Sequence, residues 1–250
     1  MRRLLIASIA LAALVAAPVL AQDDTVSASI ENAIADEARP EADRQLDANR
    51  HPAEVLLFAG VEPGWRVADL VPGGGYYSRV LSTAVGPEGH VYAYNASWVA
   101  ERFAESNERL GVLADEIGNM TRIVAPLHEI NTQTGEPLDA IFMVLFYHDT
   151  VYHDADRAPM NQAMFDRLRP GGVLILIDHA AVDGSGADAA QTLHRIDREY
   201  VVQEVTAAGF ELDGDSDMLA NPEDTREISP FDPSIRRQTD RFVLRFRKPE

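Results

Sequence analysis

The sequence predicts an α/β fold, a doubly wound parallel sheet with helices on both faces, and three observations carry the prediction. Apolar runs of strand length alternate with segments of helical periodicity from residue 51 to the end. Leu138 to Phe146 is apolar at nearly every position, as a strand covered on both faces requires. Trp65 to Ser78, read Trp-Arg-Val-Ala-Asp-Leu-Val-Pro-Gly-Gly-Gly-Tyr-Tyr-Ser, passes from strand through a glycine turn into helix.

Met1-Arg2-Arg3 precedes an uncharged run from Leu4 to Leu20, and Val19-Leu20-Ala21 has the small-x-small form of a cleavage site. A signal peptide over residues 1–21, cleaved after Ala21, is therefore expected, and with it a periplasmic or secreted protein. A twin-arginine signal is the lesser alternative. The run is short of the ~20 apolar residues that a membrane span needs, and an acidic segment follows it, so no stable membrane insertion is expected after cleavage. The absence of cysteine excludes a disulfide framework, a lipoprotein anchor and thiol chemistry. The formal net charge is −18, two units more negative once Arg2 and Arg3 leave, which disfavours nucleic acid and anionic membrane surfaces as partners.

Residues 22–50 are acidic and alanine-rich, with Pro40 dividing two short helices, and are read as a loosely packed helical extension. Residues 51–250 form one domain. His51 to Gly60 is a helix, and the first strand, Val67 to Val71, is entered through Pro63-Gly64. Helix resumes at Tyr76, with Val80, Leu81, Ala84 and Val85 at helical spacing, and stops at Gly86-Pro87. The second strand is His90 to Tyr94, ending at Asn95; a helix over Trp98 to Leu113 and a strand over Thr121 to Ala125 follow. The apolar fourth strand ends at Tyr147-His148-Asp149. A helix over Asp156 to Leu168 then leads to the fifth strand, Val173 to Ile177, which ends at Asp178-His179. Gln191 to Ala208 reads as one helix stopped by Gly209, with strands beginning at Phe210 and over Arg241 to Phe246. Between Asp213 and Asp240 the polar, proline-containing stretch is either a lid or a surface excursion packed by Phe231.

Glycines without Cβ let a ligand lie on the backbone, and Asp69 places a carboxylate beside it, so a ligand with hydroxyls or an amine is implied. Three adjacent glycines do not fit Gly-x-Gly-x-x-Gly, which weakens a nicotinamide reading. Asp69, Gly73 and Gly75 resemble motif I of the class I S-adenosylmethionine-dependent methyltransferases, acidic-x-Gly-x-Gly-x-Gly, with Val71 where that family has its first glycine. Leu168-Arg169-Pro170-Gly171-Gly172, leading into an apolar strand, resembles the family's turn before strand five. The likeness extends over residues 22–250, and the chain is similar to predicted methyltransferases that carry a signal peptide.

The resemblance implies a seven-stranded sheet in the order 3-2-1-4-5-7-6 with the last strand antiparallel. It also implies S-adenosylmethionine as cofactor, held by Asp69, Gly73, Gly74, Gly75 and Asn95. Asn95 stands where an acidic residue commonly meets the ribose hydroxyls, and Pro126-Leu127-His128 where one often meets the adenine amine. At the carboxyl ends of strands four and five, His148, Asp149 and His179 are the candidate catalytic residues, with His148 or His179 as base and Tyr147 shaping the acceptor pocket. His148, Asp149, Asp178 and His179 would also suit a divalent metal, although no tight ligand motif is present and none is assigned as a ligand. His194, with Asp197 and Arg198, reads as a solvated helix face, and His153 and Asp154 as acceptor entrance or loop surface.

The expected function is a methyltransferase acting on a small-molecule acceptor. One alternative is an exported ligand-binding protein on this fold whose cofactor site has eroded at Val71, Asn95 and Pro126; another is a metal-dependent hydrolase. The acceptor and the oligomeric state are left open by the sequence.

Overall fold

The computed structural model describes residues 17–153 and 155–250. The expected leader lies outside the described residues except for its last five, which open helix α1 (Ala17–Ala35), and Asp154 lies outside them as well. Short helices α2 (Glu41–Arg44), α3 (Asp47–Arg50) and α4 (Pro52–Ala59) lead to strand β1 (Arg66–Leu70). Next come α5 (Tyr76–Val85), β2 (His90–Asn95), α6 (Ser97–Arg102), α7 (Ala104–Ile117), β3 (Met120–Val124), α8 (Ile130–Gln133) and β4 (Leu138–Val144). The chain closes with α9 (Arg157–Arg167), β5 (Leu168–His179), α10 (Ala190–Leu193), α11 (Arg198–Ala207), β6 (Glu211–Ser216) and β7 (Arg241–Arg247). No helix among the described residues is long and apolar enough to cross a membrane.

The seven strands form one sheet in the order β3-β2-β1-β4-β5-β7-β6, parallel except for β7, which runs antiparallel to both β5 and β6. Alternation along the central strands builds a core on each face, because successive strand residues point to opposite sides. Ile141 and Met143 of β4 pack with Met160 and Met164 of α9 and Val201 and Val205 of α11. Ala140 and Phe142 pack on the other side with Leu56 of α4 and Val80 and Leu81 of α5. Both faces of β4 are thus covered, which is why its sequence tolerates almost no polar residue. Strand order reverses between β1 and β4, and the crevice beyond their carboxyl ends is where an open α/β sheet receives ligands.

Two expectations change. The segment before residue 50 is docked, not loose: Ile30 and Ala33 are fully buried against the second core. Asp47 then holds the Arg39 guanidinium through both carboxylate oxygens at 2.6 and 2.9 Å and accepts the Tyr76 hydroxyl at 2.5 Å. The helix expected over Gln191 to Ala208 is broken between α10 and α11. Arg195 is fully buried there, donating to the carbonyls of Ala180 and Ile228 and pairing with Asp224. Ile196 meanwhile exchanges backbone hydrogen bonds with His179 and Ala181. These tertiary partners outweigh the helical periodicity.

Candidate active site

The glycine turn after β1 is made by residues of three different kinds. Val71 sits in the left-handed region at φ 54°, its N–H donating to the Tyr94 carbonyl at 2.7 Å. A β-branched residue there is strained, and the strain stands where the family has glycine. Gly73 is also left-handed, and a Cβ on Gly73 or Gly74 would meet nothing within 4 Å, so open space lies directly over this backbone. Gly75 differs. A Cβ on it would lie 2.6 Å from the Leu113 side chain, so its absence lets α7 pack against the turn, and Gly75 lines neither cavity described below.

Two cavities meet at this turn and share Val71 and Gly73. The smaller, about 270 Å³, is lined by Asp69, Gly74 and Tyr77 of the turn region, and by Asp43, Leu46 and Arg50 of the N-terminal segment. Asp69 is buried and accepts the Ser78 hydroxyl at 2.6 Å. Burial pushes its pKa up to about 7, against the opposing pull of the Ser78 hydrogen bonds and the Arg50 charge.

The larger cavity, about 790 Å³, is bounded by Asn95 and Trp98 after β2, by Phe146, Asp149 and Tyr152 after β4, and by His194 and Phe231. Asn95 is buried, and its Nδ2 donates to Asn107 at 2.9 Å while its Oδ1 has no partner. Asn95 lines the cavity and carries an acceptor that no described protein group uses. Pro126, Leu127 and His128 line a separate, smaller cavity behind Trp98.

At the inner end of the large cavity stands a histidine–carboxylate cluster. His148 is buried, with Nδ1 2.7 Å from Asp178 Oδ1 and Nε2 3.3 Å from Asp149 Oδ1. Burial alone would lower its pKa, but the Asp178 charge and the hydrogen bonds to Asp149 and Asp178 prevail and raise it to about 10. Burial would raise the Asp149 pKa; His148, by hydrogen bond and charge, together with the Tyr152 hydroxyl and His194, holds it at about 2. Asp149 is also met by His194 Nδ1 at 3.3 Å and by the Tyr152 hydroxyl.

Of the residues singled out in the sequence, His148 and Asp149 come together and His179 does not join them. Its Nδ1 is 2.8 Å from the Thr239 hydroxyl. Burial, opposed by Asp178 but aided by His148, Arg241 and Arg195, lowers its pKa to about 3. As a base, then, His179 is weak and does not line the large cavity, while His148 already carries its proton at neutral pH. His194, read as a solvated helix face, is instead a cavity residue. The helix break places it in the left-handed region at φ 50°, one turn from the expected course. Phe231 does not anchor the 213–240 excursion: it is 64% exposed, with its ring edge-on to His194 at 4.9 Å, whereas Leu219 and Ile235 are buried there.

No protein-family model matches the chain. A curated relative, the protein-L-isoaspartate O-methyltransferase of Ignicoccus hospitalis, is 23% identical over 169 residues, 68% of this chain and 72% of its own. The [4+2]-cyclase SpnF superposes with a TM-score of 0.59 at 16% identity, over 92% of this chain and 95% of its own. Aeropyrum pernix fibrillarin, solved with natively bound S-adenosyl-L-methionine, gives 0.51 at 14% identity, over 77% and 73%. The sheet order and these likenesses define the class: the chain has the Rossmann-like fold of the S-adenosylmethionine-dependent methyltransferases. A cyclase shares that fold, so the reaction has to be argued from the site.

Proposed function

We propose that the chain is an S-adenosylmethionine-dependent methyltransferase with a small-molecule acceptor, and that residues 1–21 export it. The observation that carries the cofactor reading is Asn95, which lines the cavity together with the open backbone of Gly73 and whose buried Oδ1 has no partner. S-adenosylmethionine, when bound, supplies a methyl group on a positively charged sulfur. Asn95 would accept a ribose hydroxyl, Gly73 and Gly74 would let the ligand cross between the cavities, and Asp69 would face its amine.

Transfer would be an in-line displacement: the acceptor's lone pair bonds to the methyl carbon as the carbon–sulfur bond breaks, S-adenosylhomocysteine leaves, and the acceptor's proton passes to solvent. The chain's part is chiefly alignment. Trp98, Phe146, Tyr152 and Phe231 give the large cavity an aromatic lining sized for a small molecule. Asp149, kept ionised, accepts a hydrogen bond from the acceptor's reacting group, and His148 acts through Asp149 as a positioning residue. The strongly negative chain argues against a polyanionic acceptor.

Calorimetric titration of S-adenosylmethionine and S-adenosylhomocysteine into the full chain tests the reading. Micromolar binding, about −8 kcal/mol, that is weakened at least tenfold in Asn95→Ala is expected. A folded wild-type chain that binds neither compound would overturn it.

A further inference from the structure

We infer that His148, Asp149 and His194 form a binding site for a divalent transition-metal ion at the inner end of the large cavity. His148 Nε2 and His194 Nδ1 each lie 3.3 Å from Asp149 Oδ1, and the three donor atoms all fall within 4.8 Å of one another. A tetrahedral ion with bonds of about 2.0–2.1 Å to nitrogen sets its donors ~3.3–3.4 Å apart. The two spacings to Asp149 match what such an ion imposes, and the two nitrogens lie within 4.8 Å of each other.

The surroundings are built for the same end. Asp178 accepts His148 Nδ1 at 2.7 Å and, through its other oxygen, the His148 backbone N–H at 2.8 Å. That fixes the ring and aims Nε2 at the cluster, the support a metal-bound histidine usually has. The ion takes the place of the Nε2 proton that otherwise faces Asp149, and that proton is released on binding. His194 is delivered by the break between α10 and α11, which costs the chain about one turn of expected helix. Two imidazoles with one carboxylate suit zinc and its first-row neighbours, whereas magnesium and calcium take oxygen ligands. The pair first suspected alongside His148 and Asp149 is excluded by position: Asp178 stands behind His148, and His179 is turned to Thr239.

Asp149 and His194 line the cavity, so an ion held there keeps a side open to it. The Tyr152 hydroxyl touches both residues, 3.2 Å from His194 Nδ1, and is placed to act as a fourth ligand or to give way to an incoming oxygen. The role of the ion rests on the methyl-transfer reading: an acceptor hydroxyl on the metal gives up its proton more readily and attacks as an oxyanion. The existence of the site does not.

The test is titration of the chelator-stripped full chain with zinc chloride by calorimetry and with cobalt chloride by visible absorption. One ion per chain is expected, with cobalt bands typical of low coordination number. His194→Ala and Asp149→Asn should each weaken zinc by at least ~100-fold, and Asp178→Asn, as a positioning residue, by ~10–100-fold. Exposed His128, replaced by alanine, should change nothing. A folded wild-type chain without stoichiometric zinc, or His194→Ala binding as tightly as wild type, overturns the site. S-adenosylmethionine titrated into the same zinc-free sample separates the two readings. A chain that binds the cofactor but fails to take up zinc loses only the metal site, and one that takes up zinc but fails to bind the cofactor loses only the methyltransferase reading.

Discussion

Asp178 takes two hydrogen bonds from His148, one from the ring and one from the backbone, and thereby ties the end of β5 to the segment leaving β4. It accepts a third from the His179 N–H at 2.8 Å. Since the side chain is fully buried, no water is at hand to replace it. Asp178→Ala would strand two backbone donors and leave the protonated His148 ring with Asp149 alone. We expect a loss of about 3–5 kcal/mol, read as a lower denaturant midpoint at unchanged slope. A loss under ~1 kcal/mol would show that the two strand ends are held together by other contacts.

Asp69 makes stability depend on pH in a direction opposite to acid denaturation. Its pKa is about 7 in the fold, and its ordinary value is 3.8. The folded chain therefore holds a proton that the unfolded chain releases between those limits. The contribution is complete below pH ~4 and is lost as pH rises through 7, of order 4 kcal/mol in all. Asp69→Asn keeps a neutral side chain throughout and should be more stable than wild type at pH 8, with the difference closing toward pH 5. Unfolding curves at pH 5, 6, 7 and 8 measure it, and parallel profiles for the two proteins would refute it. Binding of a cationic ligand against Asp69 should in turn release a proton near pH 7, seen as a buffer-dependent calorimetric enthalpy.

Val71 and Leu145 end adjacent strands in the same way, at φ 54° and 56°, each N–H donating at 2.7 Å to the neighbouring strand, Tyr94 for one and Ile177 for the other. Glycine adopts that conformation freely, whereas an L side chain is disfavoured by about 1–2 kcal/mol. Comparing Val71→Gly with Val71→Ala cancels the loss of the valine methyls. The glycine variant should be the more stable by about 1 kcal/mol, reversing the usual order. Equal stability, or alanine ahead, would mean that the turn relaxes out of the left-handed region.

The readable parts of the fold are those where local chemistry and tertiary demand agree. Strand, glycine turn and helix from Arg66 to Val85 need only the residues between them, and β4 announces its double burial in its own composition. Pro170-Gly171-Gly172 marks the approach to the middle of β5 in the same local way. What was hidden depends on partners distant in sequence. Arg195 breaks a helix because Asp224 and two carbonyls await it, and a search by periodicity sees only a charged residue on a helical face. With that break comes His194, so one of the three residues of the His148–Asp149–His194 cluster was beyond reach of the sequence motifs. Pro40 correctly divided the N-terminal segment, but nothing in its alanine-rich composition reveals that Ile30 and Ala33 meet the core. Two histidine-adjacent carboxylates offered a clue: Asp149 and Asp178, from two strand ends, both meet His148.

Arg39 gives the N-terminal wall of the smaller cavity its hold. Its guanidinium is 2% exposed and bonded to both oxygens of Asp47, and Asp47 also accepts the Tyr76 hydroxyl beside the glycine turn. Asp47→Ala leaves a buried cation with the Ile34 carbonyl at 2.8 Å and the Tyr76 ring but no counter-charge, and a loss of about 3–5 kcal/mol follows. Much of that loss should fall on the segment itself, since α2 and α3 bury no residue of their own. Trypsin then becomes the measurement: Arg44 and Arg50 should be cut under native conditions in the variant while the rest of the domain resists, and the wild type should stay intact. Because Leu46 and Arg50 line the cavity with Asp69, binding of S-adenosylmethionine should weaken in step with the nicking. Asp43→Ala, which breaks only the more exposed pair with Arg79, should cost no more than ~1 kcal/mol and leave the segment protected. If both variants resist trypsin equally, the wall is held by the burial of Ile30 and Ala33, and the Arg39–Asp47 pair is incidental to it.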